Sequence, residues 1–404
     1  MGWKRSFYAI LLAETLAVTG FNAVIPIIPG FIQSLGVTDP VGLKMWVGIN
    51  ATATAVSLSV FALIWGKLAD VVGKRTMLLR AMIGGTVAMV LMGISATPWQ
   101  FLVFRSMQGA ITGTVAAATV LVATVSPKEE MGYALGLLQT GIYVGASAGP
   151  AIGGFLSDLL GYRANFFATA GFLFAASMIV IRFVEPDRPT RVIPGPIWKK
   201  MLPDFTPLAL FPGLAILILI SCALQVANST VGPILPLFIQ AISPKTEFVG
   251  STTGVILGLS ALAAALSAVG LGRVSRRIGY ERTLGVCLIG AFIAVVPQAF
   301  VRFPWQLLVL RIIGGAMLGG CEPSLNALIA LRTDKSRQGA VFGLSSSFNN
   351  IGFTVGPMIG AVLSAAFGFS FAFFAAAAIL LVNAVLARTV RIKIAPEKTG
   401  GAAP

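Results

Sequence analysis

One passage of this chain is written twice, about 206 residues apart, so any fold it adopts has to hold two similar halves. The run Pro98-Trp99-Gln100-Phe101-Leu102-Val103-Phe104-Arg105 returns as Pro304-Trp305-Gln306-Leu307-Leu308-Val309-Leu310-Arg311, and Gly109 and Gly113 return as Gly315 and Gly319. At the same offset Asn22, Gly66 and Gly73 return as Asn228, Gly272 and Gly279. One residue further on, Pro26, Pro29 and Phe31-Ile32-Gln33 return as Pro233, Pro236 and Phe238-Ile239-Gln240, and Gly149-Pro150 returns as Gly356-Pro357. Separate landmarks sharing one offset point to internal duplication, the way many secondary transporters place a site between two halves.

The solvent this duplication is built for is lipid. With 56% apolar and 11% charged residues, the chain carries more apolar surface than a soluble fold of 404 residues needs for its core. Apolar runs of roughly 20 residues, enough to cross a hydrocarbon layer, can be placed twelve times, the first near 7–31 and the last near 368–387. The expected fold is an all-α integral membrane protein of twelve transmembrane helices in two pseudo-symmetric six-helix bundles. Its expected divisions are an N-terminal bundle at 1–184, a Pro-rich charged linker at 185–207, a C-terminal bundle at 208–390 and a tail at 391–404.

A net charge of +15 invites a nucleic-acid partner, but the basic residues fall on one side. If the N-terminus is inside, the inner segments hold 23 of them and the outer segments four, Lys44, Arg163, Lys245 and Arg302. That asymmetry places both termini in the cytoplasm by the positive-inside rule and needs no nucleic acid. The first span starts close to Lys4 and Arg5 but is too long for a signal-peptide core, so it counts as a helix of the fold. Cys222, Cys287 and Cys321 all lie within spans and lack metal-ligand spacing, so neither a disulfide framework nor a metal site is expected. The chain has no histidine and no phosphate-binding loop, which argues against an intramembrane enzyme, a nucleotide cofactor and proton coupling through imidazole.

Two stretches carry motif-like spacing. Gly66 to Arg75, with Asp70, Gly73, Lys74 and Arg75, reads as a short turn between the second and third spans, either a charge latch that differs between two helix packings or an ordinary positive loop. In the fifth span Gly136, Gly145, Gly149-Pro150 and Gly153-Gly154 recur as Gly343, Gly352, Gly356-Pro357 and Gly360, a pattern for close packing with one flexible point. Together with Arg105-Ser106-Met107-Gln108-Gly109, these residues resemble the motifs of the major facilitator superfamily, and within it the twelve-span drug:proton antiporters. The resemblance covers essentially the whole chain. It implies that Asp70 belongs to a latch at the cytoplasmic gate, Arg105 to proton coupling and the Gly149-Pro150 region to the hinge and seal of the fifth helix. Arg276 stands where Asp70 should recur, so a symmetric latch is not expected.

Four ionisable side chains fall well inside the spans, Glu14, Arg105, Arg311 and Glu322, and each is costly there, by about 2.5–3.5 kcal/mol for arginine at a helix centre. The arginines are long enough to reach the interface instead. Glu14 and Glu322 are not, and in the resembled fold they would face one another across the gap as the proton-binding and cation-recognising acids. Asn22 and Asn228 are further candidates for contact with substrate, and Phe21, Gln139, Tyr143, Gln225 and Phe348 candidates for a mostly apolar cavity. The expected activity is proton-coupled export, by alternating access, of small hydrophobic and cationic compounds across a bacterial inner membrane. The alternative is proton-coupled transport of a specific metabolite such as a sugar. Protons, membrane lipid and the small-molecule substrate are the expected partners, and a monomer is expected because one chain contains both halves.

Overall fold

The computed structural model describes residues 2–127, 129–186, 212–243, 248–333 and 338–389, and within them the secondary structure is helical, with no strand. Most of the expected linker and all of the expected tail lie outside the described residues. In the first half, α1 (Gly2–Ala23) runs through a 3-10 turn at Ile25–Ile27 into α2 (Ile28–Ser34). It is followed by α3 (Pro40–Val72), α4 (Lys74–Ile94), α5 (Pro98–Ile111), α6 (Thr114–Val125), α7 (Met131–Leu160) and α8 (Tyr162–Phe183). The second half contains α9 (Pro212–Val231), α10 (Leu235–Ile242), α11 (Val249–Ile278), α12 (Tyr280–Val295), α13 (Pro304–Leu331), α14 (Gln338–Phe367) and α15 (Phe369–Thr389).

Among the described residues, eleven helical segments are long and apolar enough to cross a membrane. The fifth expected span, α7, is not among them. Its 30 residues are ample in length, but seven of them are glycine, which dilutes its hydropathy.

Local chemistry accounts for the helix ends. In the repeated Pro-Trp-Gln passage, proline occupies the first helical position, where its missing N–H costs nothing. The glutamine reaches back: Gln100 Oε1 accepts from Ala96 N at 2.9 Å, and Gln306 Oε1 from Arg302 N at 3.0 Å. Four reversals turn on single glycines of positive φ that recur in register, Gly73 (103°) with Gly279 (93°) and Gly161 (84°) with Gly368 (94°). The stretch expected to be a turn from Gly66 to Arg75 is therefore corrected. Helix continues through Val72, and only Gly73 reverses the chain. Nothing in the stretch before it breaks the i to i−4 ladder, since a lone glycine is tolerated in a membrane helix.

Side chains pack into two buried clusters, one drawn from residues 7–184 with Leu237, the other from 214–387. Phe31, Phe101 and Phe166 meet edge-on and tilted in the first, with Phe31 4.8 Å from Phe166 and 5.2 Å from Phe101 between centroids. Phe238 and Phe373 lie 5.0 Å apart in the second.

The halves join along α7 with α11 and α3 with α14, at the end remote from the start of α1. Ser147 Oγ donates to Gly258 O at 2.8 Å, and Gly154 and Gly254 meet the backbone of Gly250 and Pro150. Across the other seam Thr52 Oγ1 donates to Thr354 O at 3.2 Å, and Gly48 meets Ala361. At the opposite end, Gly132, Gly136, Gly270, Gly272 and Gly343 all have open space where a side chain would project. The gap between the halves is thus closed at one end and open at the end where α1 begins.

Candidate functional site

Glu14 lies on α1 and is fully buried. Its Oε1 accepts from Thr114 Oγ1 at 2.9 Å, while Oε2 is buried with no partner. That geometry depends on a break in the fourth expected span. α5 ends at Ile111, Gly113 takes φ 118° and ψ 41°, and α6 starts afresh at Thr114. The new helix start presents Thr114 and the positive end of the α6 dipole to the acid. The break also frees the carbonyl of Ala110, which would otherwise accept from the N–H four residues on. Trp65 Nε1 donates to it at 2.6 Å, and the Arg80 guanidinium lies 3.8 Å from the centroid of the Trp65 ring. The second half does not copy this feature, because α13 runs unbroken through Gly319.

Arg105 donates from Nη1 to Gln108 Oε1 at 2.6 Å rather than extending to an interface, and its Nε is buried without a partner. Arg311, its duplicate, lacks that partner because Gly314 stands where Gln108 would recur, and its Nε and Nη2 are both buried and unpaired. The spacing of Arg311, Gly315, Glu322 and Asn326 keeps them on one face of α13, away from the exposed apolar stripe of Trp305, Val309 and Ile313. Gly315 packs on Ser260 of α11, whereas Glu322 and Asn326, further along, are exposed.

On α7, Gly136, Gln139 and Tyr143 share the face that farther on carries Ser147, Pro150 and Gly154 onto α11. Before that contact begins, the same face is uncovered: Gly136 and Gln139 are exposed and Tyr143 is 39% exposed. Gln139, Tyr143 and Glu322 therefore line the open part of the gap. Asn228 is exposed on α9, and Gln225 is half-buried against Gly352.

The remaining expected site residues are half-buried. Phe21 packs on Gly85 of α4, Phe348 against the second core, and Asn22 donates to Val18 O at 2.9 Å with its Cβ against Gly149. Glu14 does not face Glu322 across the gap, because α6 covers it.

In the fifth-span motif, Gly145, Gly149 and Gly153 press on the backbone of Thr15, Thr19 and Ala23 in α1, while Gly154 and Pro150 meet α11. α7 is thus clamped between α1 of its own half and α11 of the other. Of the expected latch, Lys74 Nζ donates to Thr124 Oγ1 at 2.9 Å and Arg75 Nη2 to Ile181 O at 2.9 Å, bonds within the first half. Gly66 and Asp70 lie in the α3 backbone, and the Asp70 side chain lies outside what is described. Among the described residues no cluster of ligating side chains could hold a metal ion.

A family model matches the chain twice, at residues 10–243 and 217–403, and its description is Major Facilitator Superfamily. The chain belongs to the major facilitator superfamily. Its similarity to individual superfamily members extends over nearly its whole length: it is 34% identical over 389 residues to the multidrug resistance protein MdtG of Salmonella paratyphi A (strain ATCC 9150 / SARB42), 95% of each chain. To MdtG of Dickeya zeae (strain Ech586) it is 34% identical over 386 residues, 95% of this chain and 93% of the relative. Among solved structures, the nucleoside transporter NupG superposes with a TM-score of 0.80 at 11% identity, covering 96% of this chain and 100% of that one. A bacterial homolog of the human lysosomal transporter Spinster, inward-facing and unoccupied, gives 0.75 at 15% identity, with 96% of each covered. These likenesses establish a superfamily fold and a multi-pass membrane transporter.

Thr114, Gly113 and Trp65 did not stand out in the sequence. Gly113 was visible only as half of a repeated pair, and its partner Gly319 sits in continuous helix, so the residue type alone could not announce a break.

Proposed function

We propose that the chain is a proton-coupled exporter of hydrophobic, cationic compounds, working as a monomer by alternating access. In this reading twelve spans form two pseudo-symmetric six-helix bundles, both termini are cytoplasmic, and the open end of the gap faces the cytoplasm of a bacterial cell. Its relatives named for multidrug resistance support the substrate class. The observation that carries the coupling is the Glu14 carboxyl, fully buried with one hydroxyl partner and one unpaired oxygen. A buried, unpaired carboxylate is costly, and a bound proton removes that cost, so the site suits a proton carried through the membrane. Glu322, exposed on α13, is suited to meet a cationic substrate.

The test is ethidium efflux from cells making wild type, Glu14→Gln or Glu322→Gln, with and without a protonophore. Loss of efflux in both variants and with the protonophore supports the reading. Protonophore-insensitive efflux by wild type, or full efflux by Glu14→Gln, overturns it.

A further inference from the structure

α11 begins without a cap of its own. Phe248, at its N-cap, holds a left-handed φ of 62° and offers no side-chain acceptor. The N–H groups of Gly250 and Ser251, in the first turn, have no partner within the helix. Asp158, in the last turn of α7, supplies one from the other half: Oδ1 accepts from Gly250 N at 3.2 Å and Oδ2 from Ser251 N at 2.7 Å, with the Ser251 hydroxyl donating to Oδ2 as well. The α3 N-terminus needs no such help, because Asp39 accepts from Gly42 N within the same helix.

The other seam carries the opposite charge. Lys44 Nζ, near the start of α3, donates to Ser364 O at 2.8 Å in the last turn of α14 and lies 4.3 Å from the Phe369 ring centroid. The carboxylate thus meets the positive end of one helix, and the ammonium the negative end of another. The duplication offset of 206 to 207 carries Lys44 onto Gly250 or Ser251 and Asp158 onto Ser364 or Ala365. The two junctions are therefore the same contact in the two copies, with the charge on the α3-type helix in one and on the α7-type helix in the other.

We propose that Asp158 and Lys44 are reciprocal clasps, each a charge from one half seated on a helix terminus of the other, that hold this end of the gap closed. Parting the halves here leaves two N–H groups at the start of α11 without their acceptor and the end of α14 without its cation. The clasps therefore bias the resting protein toward the state open at the opposite end. This proposal stands apart from the proton and drug reading, since it concerns neither Glu14 nor Glu322.

The experiment is double electron–electron resonance on the full chain in lipid nanodiscs, with spin labels at Leu159→Cys and Arg302→Cys in a background free of native cysteines. In Asp158→Ala the long-distance population is expected to grow roughly fivefold, the effect of a lost helix cap. Asp158→Asn should fall between Ala and wild type, since the amide keeps one acceptor without the charge. Lys44→Met should raise the same population about two- to fivefold, and the double variant should combine both effects. Unchanged distances in monodisperse Asp158→Ala and Lys44→Met, or a shift toward shorter ones, overturn the proposal. If Asp158→Ala does not fold, Asp158→Asn decides by the same reading.

Discussion

Replacing Gly113 with alanine isolates the role of the break between α5 and α6. The nearest atom to an added Cβ is Leu58 Cδ1 at 4.0 Å, so no clash arises and the substitution acts through the backbone alone. A left-handed conformation costs an L-residue about 1–2 kcal/mol relative to the helical one, which weighs against the broken form by a factor of roughly 5–30. Closing the break would return the Thr114 N–H to the Ala110 carbonyl and draw the Thr114 hydroxyl off Glu14. The expected result is a fall in efflux per molecule of about fivefold or more, set by that factor, with a melting temperature at or modestly below wild type. Gly319→Ala, the duplicate position, provides the contrast. There a Cβ meets the Ala264 backbone in the seam between α11 and α13, so the expectation is lost stability of about 1–3 kcal/mol from overpacking. Efflux is measured in proteoliposomes at matched protein content, and unfolding by a thiol-independent fluorescence melt. Wild-type efflux from well-folded Gly113→Ala would refute the argument that the break matters to transport.

Trp65→Phe deletes the ring N–H at the part-buried Ala110 carbonyl and should cost about 1–3 kcal/mol, the range for an acceptor left unpaired, read as a lower melting temperature with the helix content unchanged. Tyr143→Ala should raise the half-saturating concentration of an aromatic cation by a few-fold, roughly 0.5–1 kcal/mol of ring–cation attraction, with little effect on maximal rate; an unchanged value would remove Tyr143 from the substrate wall. Glu322→Gln should reduce efflux of cations by about tenfold, the weight of a charge-assisted contact, while sparing a neutral hydrophobic compound of similar size. Equal loss for both would show that Glu322 acts on the cycle rather than on charge recognition.

The repeat was informative where the physics is local. The repeated Pro-Trp-Gln passage starts a helix in both halves, and Gly73 and Gly279 reverse the chain in register, because capping and positive φ depend on neighbouring residues. Helix ends set by distant partners were not legible. The helix starting at Val249 is capped by Asp158 from another helix. The site was partly legible for the same reason. Glu14 and Glu322 stood out as acids among apolar residues, yet their unequal exposure depends on packing between helices: Glu14 is buried with Thr114 of α6 bonded to it, while Glu322, on α13 itself, is exposed.

The central claim is that the proton path runs through Glu14, and it is tested most directly by substrate-induced proton movement in proteoliposomes containing a trapped pH-sensitive dye. For wild type, adding a cationic substrate on one side should drive protons the opposite way, and in Glu14→Gln that movement should be absent although substrate still binds. Proton movement of wild-type size in Glu14→Gln would contradict the account.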